Sequence, residues 1–254
     1  MKPAHVNPAH ASQQGNVLFL ILIAVALFAA LSYSATQSTR AGGTKSSQED
    51  SQRVRGVEII QYATFVAESI QRMTFRGVNN DTLCFDAPLW GHANYDHSGC
   101  GSETNKVFSP VPSAGNVVWL KVPDGANAGE PWYITGNTCV LSVGTLQNDD
   151  CNSDGNNANE DIVMFLPNIT KPLCLEINEQ LGISNPGGNP PKASGDLWST
   201  GMPVFAGAYA DGGRVDSGGS GDLNILRGQM FGCVEGGGTP PAGSFAYYHV
   251  LVRR

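Results

Sequence analysis

The sequence predicts an α+β protein. A long N-terminal helix, transmembrane in its first part and amphipathic in its second, carries a disulfide-stapled, β-rich globular head. Three observations predict it. Asn16 to Ala35 runs for 20 residues without a charge. An apolar stripe at helical spacing follows it. Beyond residue 81, short β-branched and aromatic runs alternate with Gly, Pro and Asn turns, and all six cysteines lie there.

Residues 1–15, MKPAHVNPAHASQQG, form a polar leader with Lys2 as its one fixed positive charge. The apolar run 16–35 follows at once. At ~1.5 Å rise per residue such a run spans a hydrocarbon core of ~30 Å. A helix buried in a soluble core would show a polar face, and this one has none before Ser32. Three readings stay open. A cleavable export signal would place its apolar core at Val17–Leu31, the upper limit for such segments, and cut near Ala30-Leu31-Ser32. A plain membrane anchor would stay uncut. A retained packing stem would lose only the leader.

The stretch VRGVEIIQYATFVAESIQRMTF sets Ile59, Tyr62, Ala63, Val66, Ile70 and Met73 three and four residues apart, one stripe of a helix. Gly77 stands where a C-terminal cap belongs, and Arg72 and Arg76 in the last turn suit the helix dipole. Between run and stripe, Gly42-Gly43 predicts a break. Residues 16–77 are therefore read as one helical stem and 78–254 as the head.

The polar leader ending in Gly15, placed directly before the apolar run, resembles the class III signal of type IV pilins and type II secretion pseudopilins. The resemblance covers Gln13 to about Arg76. It implies that a prepilin peptidase cuts after Gly15 on the cytoplasmic side, so that the mature chain begins at Asn16 and keeps its apolar helix. It also implies a stem whose first half is embedded in membrane or filament and whose second half packs on a β-sheet. Implied partners are other pilin-like subunits, the peptidase and the bacterial inner membrane. The head would sit in the periplasm or, in a filament, outside the cell. The family usually starts with an aromatic residue or methionine and has a glutamate fifth; here Asn16 and Leu20 hold those places. Minor tip pseudopilins also lack that glutamate, so the resemblance implies a minor, tip-like subunit. The alternative is a membrane-anchored or signal-exported binding domain, adhesin-like, that does not polymerise.

Charge is uneven along the chain. Residues 1–80 hold seven Lys/Arg against four Asp/Glu, and residues 81–254 hold eight against eighteen, so the head carries a formal −10. Such a head repels phosphate backbones, which argues against nucleic acid as a partner. Lys2 before the apolar run and Arg40, Lys45, Arg53 and Arg55 after it would by charge alone favour the opposite orientation. The cysteines outweigh that count, because an even set in an exported domain reads as disulfides, and these need an oxidising space. Six cysteines allow fifteen connectivities. The neighbour pairing Cys84–Cys100, Cys139–Cys151 and Cys174–Cys233 is expected.

In the head, residues 116–122, 131–136, 139–144, 161–167 and 244–252 read as strands. One helix is expected, with Thr170 as N-cap, Pro172 in its first turn and Gly182 at its end. Residues 184–203 and 211–222 read as long surface loops.

In DCNSDGNNANED, Asp150, Asn152 and Asp154 match positions 1, 3 and 5 of a calcium loop, Gly155 position 6 and Asp161 position 12. Either a Ca2+ site or a polar turn closing the 139–151 bridge explains these letters. Cys84, His92, His97 and Cys100 could be written as a zinc set, but their spacing fits no familiar finger and bonded cysteines explain them better. No hydrolase, metalloprotease, phosphate-loop or dinucleotide motif is present, so no enzyme is expected.

Overall fold

A computed structural model describes residues 14–92, 94–144, 151, 160–216 and 225–254, with the side chains of 14–20 and 30–46 outside the description. The fold is α+β, with three disulfides. Its elements are α1 (Gln14–Phe75), β1 (Tyr133–Val140), β2 (Asp161–Ile169), α2 (Lys171–Leu181), β3 (Gly213–Val215), β4 (Phe231–Glu235) and β5 (Phe245–Val252). The described residues fall into two compact units, divided after Asp50.

Within the first unit, α1 includes Gly42 and Gly43, where the sequence predicts a break. A glycine costs about 1 kcal/mol relative to alanine in a helix, which is too little to end one by itself. Among the described residues no helix is long and apolar enough to cross a membrane. The span expected over 16–35 lies partly outside them, since only the side chains of 21–29 are described.

In the second unit, the expected stripe is buried throughout: Ile59, Tyr62, Ala63, Val66, Ile70 and Met73 all enter the core. The helix stops at a left-handed Gly77. There Val78 N–H donates to Met73 O (3.1 Å) and Gly77 N–H to Thr74 O (2.9 Å), the paired bonds of a Schellman motif. Arg76 closes the end further, donating from Nε to Arg72 O and from its guanidinium to Pro112 O and Ala114 O. The second helix ends the same way, with left-handed Gly182 and Ile183 N–H on Asn178 O.

One five-stranded sheet runs in the order β3-β1-β2-β5-β4, antiparallel except for the β1–β3 pair. Both faces are covered. Ile134, Ile162, Met164, Leu166, Tyr247 and Leu251 share a core with the α1 stripe and with Leu173 and Ile177 of α2. Tyr133, Val163, Phe165, Tyr248 and Val250 point the other way, into a core with Leu197, Trp198, Val215 and Leu226. Burial on both faces explains why β2 and β5 read as continuous apolar runs rather than alternating ones.

Four local expectations change. The runs at 131–136 and 139–144, expected as two strands, are one strand: a bulge between Thr135 and Thr138 takes up Gly136 and Asn137 where the two runs part, with Asn137 N–H on Thr135 Oγ1. Residues 116–122 join no ladder. They do alternate, Val117 and Trp119 inward and Val118 and Leu120 outward, and Tyr62 Oη ties them down, donating to Val118 O and accepting from Leu120 N–H. Their pattern reports alternate burial, which a strand and a pinned extended segment share. The stretch 184–203 is not all surface loop, because Ala193, Leu197 and Trp198 are buried and roof the second face of the sheet. Finally, Gly213–Val215 of the expected loop 211–222 forms β3 beside β1.

Candidate functional site

The cysteines pair as Cys84–Cys100, Cys139–Cys151 and Cys174–Cys233, the neighbour order expected from sequence. The first bridge holds a run of short 3-10 turns. There His97 accepts the Gly99 N–H at Nδ1 (3.1 Å), so its Nε2 carries the proton and donates to Leu83 O (3.0 Å). His92 lies 4.3 Å from Trp119, nearly parallel to it, and burial lowers its pKa. His97 is thus a brace and His92 a stacking ring, and the two sulfurs of the set written as a zinc site are bonded to each other. The third bridge ties α2 to β4. Asn178 supports it from α2, accepting the Cys233 N–H at Oδ1 (2.8 Å) and donating from Nδ2 to Cys233 O (2.9 Å).

Of the four residues read as calcium ligands, Asp150, Asn152 and Asp154 lie outside the described residues. Asp161 opens β2 and is buried. Its Oδ2 accepts the Val140 N–H and its Oδ1 the Arg254 N–H, each at 3.1 Å. Burial pushes its pKa up to about 7 against those two bonds. The side chain fastens the C-terminus to β1. Among the described residues no group of three or more His, Cys, Asp or Glu could hold a metal ion. Gly15 and Asn16 lie in α1, with their side chains outside the description.

The expected apolar run is uncovered where its side chains are described, and two further surfaces, both in the second unit, were not foreseen. Along residues 21–28 of α1, Ile21, Leu22, Val25, Leu27 and Phe28 are each 58–74% exposed. In the second unit, the outer face of α1 shows Val54, Phe65 and Phe75, the last 90% exposed, with Arg72 over the Phe65 ring at 5.9 Å. Beside it, the chain from Trp119 to Trp132 and the turn at Trp90–His92 enclose a groove of about 590 Å³. Three of the four tryptophans line it. Their clustering between residues 90 and 132 is the sequence signal that could have pointed to it.

No family model, no curated protein and no solved structure matches this chain.

Proposed function

We propose that this chain is a structural subunit of a type IV pilus-like or secretion pseudopilus filament, minor or tip-like, assembling through its apolar N-terminal helix. Gly15 is the last residue of a leader removed by a prepilin peptidase, and Asn16 begins the mature chain. The supporting observation is the uncovered apolar face at Ile21–Phe28. Apolar surface of that kind is unfavourable in water by roughly 25 cal/mol per Å², so it needs a lipid or protein cover. The inner membrane supplies one before assembly and neighbouring stems supply one after it. Three disulfides support a head in the periplasm or beyond the cell. The absence of a glutamate at Leu20 fits a subunit present in few copies better than a repeating one.

The test is the N-terminus of the protein recovered from the producing cell. Intact mass and N-terminal sequencing beginning at Asn16, in the membrane or sheared-filament fraction, support the proposal. A start near Tyr33 or an uncut Met1 overturns it, and favours an exported or anchored binding domain that never polymerises.

A further inference from the structure

We infer that the tryptophan-lined groove is a binding site for a neutral saccharide ring. The inference does not rest on the filament reading, because the groove lies wholly within residues 90–132 and would serve a polymerised or a solitary head alike.

Aromatic rings form the floor. Trp119 and Trp132 are buried to 95% or more and expose only a strip to the groove, while Trp90 and His92 at its side are half-buried. His92 stacks on Trp119 and, together with Trp90, supplies the half-exposed ring surface of the groove. Burial lowers its pKa and so favours the neutral ring. Rings of this kind suit the flat C–H face of a pyranose.

The polar groups narrow the ligand further. Lys121 and Asp124 are paired at 2.7 Å, well out in solvent. The Arg55 guanidinium lies against Gly125 and acts on the same Asp124, which leaves Glu130 as the carboxylate of the groove outside that pairing, in a head that is acidic overall. Phosphates and sugar acids are disfavoured. A purely apolar ligand is disfavoured as well, because two of the lining residues carry buried polar atoms with no hydrogen-bond partner. They are Trp132 Nε1, a donor, and Glu130 Oε2, an acceptor. An unmet buried polar group is destabilising by about 1–3 kcal/mol, and a hydroxyl, which both accepts and donates, answers either one. Glu130 Oε1 accepts from Asn168 Nδ2 at the exposed side; the last torsion of a glutamate is soft, and turning it exchanges that exposed bond for one to a hydroxyl in the groove.

The loop is also set before any ligand arrives. Asn127 donates from Nδ2 to Glu130 O and Pro167 O and accepts the Gly129 N–H at Oδ1. Thr170 N–H holds Ala126 O at the head of α2. A groove fixed in this way loses little freedom on binding.

The test uses the full chain in a zwitterionic detergent free of sugar headgroups, since an alkyl maltoside would itself be a ligand. Tryptophan fluorescence and calorimetry are recorded against glucose, galactose, N-acetylglucosamine and their β-linked disaccharides. At least one is expected to bind saturably with a dissociation constant of roughly 0.1–10 mM. Trp90→Ala and Glu130→Gln should each weaken that binding about fivefold or more, the loss of one stacking or one polar contact. Circular dichroism checks that each variant is folded, and Glu130→Gln is nearly isosteric, so it reports even if Trp90→Ala unfolds. No saturable change with any of these sugars up to about 50 mM, far above the millimolar range, overturns the inference. Equal binding by wild type and folded Glu130→Gln overturns it too.

Discussion

Asn178→Ala should be among the most destabilising single changes in the head, although Asn178 touches no ligand surface. Its amide lies along the outer edge of β4 and makes the two bonds that another strand would make to Cys233, one to the N–H and one from the O. It also donates to Asn185 Oδ1 (2.9 Å). Asn178 and Cys233 are both fully buried. Truncation leaves the Cys233 N–H and C=O unpaired and out of reach of water, at about 1–3 kcal/mol each. A loss of ~3 kcal/mol is therefore expected after partial relaxation. The neighbouring Cys174–Cys233 bridge spans a sequence separation of 59, and its removal should lose ~4 kcal/mol through the unfolded chain. The two changes should be sub-additive by ~1 kcal/mol, because an unstapled β4 edge lets water reach Cys233. Urea unfolding of the full chain, followed by tryptophan fluorescence and far-UV circular dichroism, measures all three terms. Asn178→Leu separates hydrogen bonding from shape, since it keeps the volume and loses every bond. If Asn178→Leu is as stable as wild type, the edge-capping argument is wrong.

Acid acts on two buried groups in opposite senses. His249, bonded through Nδ1 to Tyr247 Oη (2.9 Å), has its pKa pushed down to about 4 by burial. Its neutral form is favoured by folding, so stability falls as pH drops from 6.5 toward 4. Asp161 is pushed up to about 7. Its stabilising contribution is full below the unfolded value and is lost as pH rises toward 7. Asp161→Asn should therefore expose the His249 limb, with a fall of about 3 kcal/mol between pH 7 and pH 4 in urea midpoints, steeper than in wild type. An unchanged slope refutes this. Separately, Gly213→Ala puts a methyl 2.1 Å from Leu197 O and 2.6 Å from Trp198 Cα. It should destabilise by about 1–3 kcal/mol and lower the melting temperature, whereas Gly195→Ala, with nothing within 4 Å, should be nearly neutral.

Long-period signals were the most legible. The α1 stripe and its Gly77 end, the α2 span from the Thr170 cap to Gly182, and the runs that became β2 and β5 stand where residue spacing puts them. Each carries its own pattern over two or more turns or an entire strand. What failed depended on contacts distant in sequence. Neighbours alone separate 131–136 from 139–144; only pairing with β2 joins them across a bulge. Residues 116–122 have strand composition, yet their partner is the hydroxyl of Tyr62, more than 50 residues away. Gly- and Pro-rich stretches around Leu197 and Trp198 read as surface because composition averages over the few anchors that enter the core. The groove was hidden for the same reason. Trp90, Trp119 and Trp132 fall within the 43 residues 90–132, a hint that they cluster, but their spacing has no helix or strand period to show that they converge on one groove.

The two uncovered apolar surfaces of α1 differ in kind, and the difference bears on the proposed filament. On the face with Val54, Phe65 and Phe75, the intervening positions are Glu58, Gln61, Glu68 and Arg72, so a solvated or weakly associating surface accounts for it. Single exposed hydrophobes of this sort are ordinary. Residues 21–28 include no polar side chain at all, and five of them are more than half exposed. Replacing apolar residues by polar or charged ones therefore distinguishes two roles. Phe65→Ser should leave membrane retention intact and alter at most the contacts between heads. Leu22→Lys or Val25→Lys should abolish retention and assembly together, because a lysine at the centre of an apolar span is unfavourable by about 3 kcal/mol. If a Val25→Lys chain is still recovered in membranes and filaments at the wild-type level, that apolar face is not what holds the subunit in place.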